Sequence, residues 1–218
     1  MTGVHLYWTE VADRGYEELL PRVRTLLDES ELARAARFLF ERDRVLFATT
    51  HAFLRIVLAR HTGGALTFVA TDHGKPELTD RRVRFNLSHT RGLVLVGITG
   101  SADLGVDVEV IDERNRERGL HSLAARVFTE RERRTWTGGA EWFYERWTMK
   151  EAYIKARGFG LTLDLQAFGF RDEEPRLDCH PEFDDPAQWQ FHTFTPTQTH
   201  RAAAAIRVAP GERVQWSV

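Results

Sequence analysis

Leu104-Gly105-Val106-Asp107-Val108-Glu109-Val110 is the stretch on which the reading of this chain turns. It alternates strictly, the period-two signature of a β-strand. Val106, Val108 and Val110 serve a core, while Asp107 and Glu109 share the opposite side. Upstream, Val4–Trp8 reads as a strand. Asp28 with Glu31 forms a capping box (Ser30 is a rival cap), opening a helix with Leu32, Ala35, Ala36 and Leu39 at helical spacing. A second helix is expected from Asp43 to His61, with Leu46, Thr50, Phe53, Leu54, Val57 and Leu58 inward and Gly63-Gly64 as its stop. Strand candidates follow at Leu66–Val69, Arg84–Ser88 and Gly92–Ile98. From residue 104 the order repeats. A strand is followed by a capping box at Thr129–Glu132, a helix from Glu141 to Arg157 stopped by Gly158, and strand candidates at 168–170, 189–194, 203–208 and 214–218. Residues 171–187, rich in Asp, Glu and Pro, read as turns. The expected fold is α+β, with two pseudo-symmetric halves at 1–103 and 104–218. Each half is a small antiparallel sheet packed with helices, and the active site lies at their interface.

The chain has 218 residues, 42% hydrophobic and 28% charged, enough to bury a core. Thirty basic and 32 acidic side chains leave a net charge of −2, which argues against a general nucleic-acid binder. The single cysteine, Cys179, excludes an intramolecular disulfide and zinc sites built on paired thiolates. The first ten residues carry no secretory pattern, and runs such as Leu93–Val96 are too short to span a bilayer, so a cytoplasmic protein without membrane contact is expected. Only Lys75, Lys150 and Lys155 among the 30 basic residues are lysines. Against an arginine background they mark places that need a compact ammonium, or else chance survivals.

Two acids on one strand face repel, and if buried they require a cation. Their hard oxygens suit magnesium, especially when a phosphate completes the shell. The alternative is a solvent-washed strand. In the helix from Glu141 to Arg157, Phe143, Trp147, Glu151 and Lys155 recur every four residues and form one stripe. Its aromatic start makes the stripe inward, so Glu151 supplies a third carboxylate and Lys155 a positioned ammonium. The competing reading is a surface Glu-to-Lys pair of about 0.3–0.5 kcal/mol. Asp72-His73-Gly74-Lys75-Pro76 is a turn that presents a lysine on a rigid bend. Ser88-His89-Thr90 ends a strand with three polar groups, either a phosphate site or a capped strand end. No Gly-x-Ser-x-Gly elbow surrounds Ser88, which disfavours a serine hydrolase. Arg34, Arg37, Arg42, Arg44 and Arg55 crowd the first helices, and one or two could meet a phosphate bidentately.

Taken together, Gly105-Val106-Asp107-Val108-Glu109 and the later Trp147-Thr148-Met149-Lys150-Glu151-Ala152-Tyr153-Ile154-Lys155 resemble the signature pair of the 4′-phosphopantetheinyl transferases. The family pattern is Gly-Ile/Val-Asp-x-Glu, then Phe/Trp-Ser/Thr-x-Lys-Glu-Ala/Ser-x-x-Lys, and every position matches. Gly74-Lys75-Pro76 and Phe85–Thr90 match further motifs of the surfactin-type (Sfp-type) subclass, whose members are single chains of similar size. All three lysines fall inside these motifs.

The resemblance implies transfer of the phosphopantetheine arm of coenzyme A to a serine of an apo acyl or peptidyl carrier protein, with 3′,5′-ADP leaving. By analogy Asp107, Glu109 and Glu151 hold Mg2+. Glu151 also takes the serine proton, and Lys155 offsets or protonates the leaving phosphate. Lys75 and Pro76 border the adenine, and Ser88, His89 and Arg34 hold the 3′-phosphate. Lys150 is open between phosphate contact and packing. Glu31 departs from the family, which often carries lysine there. Residues 113–134, rich in arginine, form either a rim that steers an acidic carrier helix or an ordinary charged helix pair. Fused halves imply a monomer. A magnesium nuclease would place a lysine where Ile111 stands, and a dead coenzyme A-binding module would have lost Glu151 or Lys155.

Overall fold

The computed structural model describes residues 1–70, 76–111, 117–158, 160, 163–171 and 175–218. The elements run β1 (Thr2–Glu10), α1 (Tyr16–Val23), α2 (Glu29–Ala36), α3 (Glu41–Thr62), β2 (Phe68–Ala70), β3 (Pro76–Leu78), β4 (Arg84–Thr90), β5 (Leu93–Thr99) and β6 (Leu104–Val110). Then come α4 (Glu117–Val127), α5 (Glu130–Thr135), α6 (Ala140–Arg157), β7 (Phe168–Phe170), β8 (Leu177–Cys179), β9 (Trp189–Phe194), β10 (His200–Arg207) and β11 (Val214–Ser217).

Two sheets dominate, a four-stranded one ordered β11-β1-β5-β4 and a three-stranded one ordered β6-β10-β9. Alternation along their strands divides the side chains between two cores. Val4, Leu6, Leu93 and Leu95 of the first sheet meet Leu104, Val106, Val108, Ala202, Ala204 and Ile206 of the second. On the outer faces, Leu54, Val57 and Leu58 of α3 pack on Phe85, Val96 and Ile98, and Ala152, Tyr153 and Ala156 of α6 pack on Ala203, Ala205 and Phe191. The order through the molecule is therefore α3, first sheet, second sheet, α6. The expected α+β architecture of small, mainly antiparallel sheets packed with helices is present.

Local signals explain the ends of these elements. Asp28, not Ser30, caps α2, its Oδ1 accepting from Glu31 N at 2.9 Å while Glu31 Oε2 accepts from Asp28 N at 3.0 Å. Thr129 and Glu132 form the second capping box. Gly63 and Gly158 end α3 and α6 with φ of 64° and 72°, the left-handed region open to glycine. Three details differ from the sequence reading. Leu39 lies beyond the end of α2 and is exposed. The stretch expected to be turns holds β8 and a 3-10 turn at Pro186–Gln188. The last strand, β11, pairs parallel to β1, with Thr2 opposite Val214 and His5 opposite Ser217.

Candidate functional site

β4 and β6 are edge strands of separate sheets, and they lie side by side. Side chains of alternate β4 residues bridge them. Asn86 Oδ1 accepts from Val106 N at 2.8 Å, and Ser88 Oγ accepts a longer bond from Val108 N at 3.4 Å. Ser88 Oγ donates to Asp107 Oδ1 at 2.8 Å, and Thr90 Oγ1 donates to Glu109 Oε2 at 3.3 Å. Because neighbours on a strand alternate, His89 falls on the other side, with Phe85 and Leu87 toward α3. The three consecutive polar groups thus do not act as one cluster. The period-two set Asn86, Ser88 and Thr90 was the signal that adjacency concealed.

α6 closes the seam from outside. A Cβ on Gly105 would stand 2.0 Å from Ala152 O and 2.4 Å from Ala156 N, so only glycine lets helix backbone lie against this strand. That contact brings the helix stripe onto the β6 acids. Trp147 Nε1 donates to Glu109 Oε1 at 3.3 Å, and Lys155 Nζ donates to Asp107 Oδ1 at 2.6 Å and Ser88 Oγ at 2.9 Å. Asp107 is 3% exposed, which rules out the solvent-washed strand. Asp107 Oδ2 and Glu151 Oε1 are buried without a hydrogen-bond partner.

The electrostatics follow from this crowding. Burial raises the Glu151 pKa to about 7; the Asp107 and Glu109 charges push the same way, and Lys155 opposes them. Burial and then Asp107 also raise Glu109, against the pull of Trp147, Thr90 and Lys155. His89 is exposed by area, but its ring stands among packed atoms. That desolvation, then the charges of Lys155 and His51, lowers its pKa. Among the described residues no three His, Cys, Asp or Glu side chains already stand as a metal cluster. The donor set nevertheless fits a hard divalent cation, with three mutually repelling carboxylates and two orphaned buried oxygens.

Comparison with known proteins gives the family. Residues 103–206, which contain β6 and α6, match the family model described as the 4′-phosphopantetheinyl transferase superfamily. The 4′-phosphopantetheinyl transferase HetI of Nostoc sp. is 35% identical over 217 residues, covering 93% of this chain and 87% of that protein. The Synechocystis sp. protein slr0495, provisionally named as a transferase of the same kind, is 31% identical over 79% of this chain and 74% of its own length. The 4′-phosphopantetheinyl transferase ffp of Bacillus subtilis is 26% identical over 87% of both chains. This chain belongs to the 4′-phosphopantetheinyl transferase superfamily.

The remaining motif residues of this transferase are placed as follows. Lys75 lies outside the described residues, and Pro76 opens β3, half-buried. Arg34 is exposed on α2, its guanidinium 5.2 Å from the Phe47 ring centroid. Glu31 accepts from Arg55 Nε at 2.8 Å and pairs with His51 Nδ1 at 2.9 Å. Burial alone would raise Glu31, but His51, the Asp28 backbone and Arg55 together lower it. Lys150 is fully buried, away from the seam's partners, and bonds to Leu165 O, Phe168 O and Glu132. Of the arginine-rich segment, Arg114 and Arg116 lie outside the described residues. Arg131 binds Asp178 at 3.0 Å, Arg133 donates to Ala125 O at 3.0 Å, and Arg134 pairs with Glu130. No helix among the described residues is long and apolar enough to cross a membrane.

Proposed function

We propose that this protein moves the 4′-phosphopantetheine arm of coenzyme A to a serine hydroxyl of an apo carrier protein, releasing 3′,5′-ADP, as a surfactin-type enzyme. The observation that carries this reading is the meeting of Asp107 and Glu109 from β6 with Glu151 and Lys155 from α6 beside Ser88. In the reaction the serine oxygen bonds to the phosphorus bearing pantetheine. The bond from that phosphorus to the bridging pyrophosphate oxygen breaks, and the serine proton leaves. Positioning and charge neutralisation do most of the work in such a displacement.

Each residue has a part matched to its surroundings. Glu151, with a pKa raised to about 7, takes the serine proton near neutral pH, directly or through water. Lys155 offsets charge on the departing phosphate or returns a proton to it. Asp107, Glu109 and Glu151 would hold Mg2+, which when bound neutralises pyrophosphate charge. Ser88 orients Asp107 and Lys155 through hydrogen bonds at 2.8 and 2.9 Å. His89 on β4, Arg34 on α2 and Pro76 at the start of β3, with Lys75 before it in sequence, complete the coenzyme A contacts.

The division at 103/104 has a functional sense in this reading, because β4 brings the coenzyme-facing polar groups and β6 with α6 the acids. A monomer is expected on the ground that both halves of the site belong to one polypeptide. A free Cys179 suits a reducing cytoplasm. An apo acyl or peptidyl carrier protein incubated with this enzyme, Mg2+ and coenzyme A should gain the mass of one phosphopantetheine group. A chelator should stop the gain, and an unchanged mass on several carriers would refute the reading.

A further inference from the structure

Lys150 precedes Glu151 on α6 and shares its sequence motif with Lys155, yet it turns the other way. Five residues at about 100° each put Lys150 and Lys155 roughly 140° apart around the helix. Lys155 reaches the β4–β6 seam, whereas Lys150 is 0% exposed. An ammonium has three N–H donors. Lys150 Nζ donates to Leu165 O at 2.8 Å and Phe168 O at 2.5 Å, and lies 3.0 Å from Glu132 Oε2. The Phe168 and Phe128 ring centroids flank it at 4.6 and 5.9 Å. Glu132 is equally committed. Its Oε2 accepts from Thr129 N at 2.9 Å and Thr129 Oγ1 at 3.1 Å, and its Oε1 accepts from Phe170 N at 3.1 Å. Gly169 makes room for it, since a Cβ there would come within 2.8 Å of the Glu132 carboxyl carbon.

We infer that Lys150 is a positioning residue that touches no phosphate. It locks α6 to α5 and to the 165–170 segment, and so sets the depth and rotation at which Glu151 and Lys155 meet β6. Contact with coenzyme A would require the ammonium to abandon two carbonyls and to leave the buried Glu132 charge without its counter-ion.

The inference deepens the transfer reading of the same site, so its test pairs kinetics with measurements that need no transfer. Three proteins are compared: wild type, Lys150→Met, and Lys150→Met with Glu132→Gln. The glutamine leaves no unpaired charge and keeps one acceptor oxygen, which serves Thr129 or Phe170 but not both. Lys150→Met should lower the melting temperature and reduce kcat about tenfold, with KM for coenzyme A held within about twofold. The double variant should recover part of both losses. A KM or calorimetric Kd for coenzyme A raised about tenfold, with melting unchanged, would assign Lys150 to the phosphates and overturn the inference. A double variant no better than the single one would overturn it too. If Lys150→Met does not fold, the double variant decides, and its affinity for coenzyme A must stay within about twofold of wild type. A wild type that modifies no carrier would fell the transfer reading, while melting and coenzyme A binding would still judge Lys150.

Discussion

The β4–β6 seam and the α5–α6–β7 hub each join a lysine of α6 to a buried acid, and they differ in what is left over. At the hub, Lys150 and Glu132 are 0% and 1% exposed, and the three ammonium donors and both carboxylate oxygens have partners. At the seam, the Lys155 side chain is 29% exposed, Asp107 is buried, and Asp107 Oδ2 and Glu151 Oε1 have no donor. A closed network rigidifies, whereas an open one leaves charge available to a ligand. A lysine–carboxylate pair is therefore closed in one place and open in the other, and the count of satisfied atoms separates them.

The sharpest way to break this contrast is Asp107→Ala. Transfer should fall on the order of 10²–10³-fold, while the melting temperature holds or rises as repulsion among the three acids is relieved. A comparable loss of stability would make the seam a second hub. Glu132→Ala should do the reverse. It leaves a buried ammonium, the two Thr129 donors and Phe170 N stranded, and chemical denaturation should register a loss of about 3–5 kcal/mol. Gly169→Ala forces a methyl against the Glu132 carboxyl group and should cost about 1–3 kcal/mol by the same measurement. The mildest test is pH. The folded Glu151 pKa of about 7 stands above its ordinary 4.5, so the folded state holds more protons across that window. Without metal, stability should therefore decline as pH rises from 4.5 to about 7, and Glu151→Gln should flatten that decline. Parallel melting curves for the two proteins would mean that the seam carries no electrostatic load.

Much of this was legible beforehand for a physical reason. β6 alternates cleanly, α6 carries its stripe at four-residue spacing, and both capping boxes are local. The meeting of Asp107 with Lys155 follows from those two periodicities once Gly105 permits contact. The fate of Lys150 was not legible. α6 is buried on nearly every side, Met149, Ala152, Tyr153 and Ile154 included, so no single stripe tells a site-facing lysine from a hub lysine. Nor does β11 announce its partner, because a parallel pairing between the chain's extremes leaves no local pattern. The three acids are expected to hold one metal ion together. Asp107 and Glu109 lean on Ser88, Thr90, Trp147 and Lys155, and among the described residues no closed metal cluster forms.

The parallel pairing of β1 with β11 also governs how the molecule answers to mechanical force. Thr2 faces Val214 and His5 faces Ser217, so tension between residues 1 and 218 drags the two strands past each other along their common axis. Their interstrand bonds then bear load together in shear instead of unzipping in turn, which gives this short four-residue contact the geometry of a clamp.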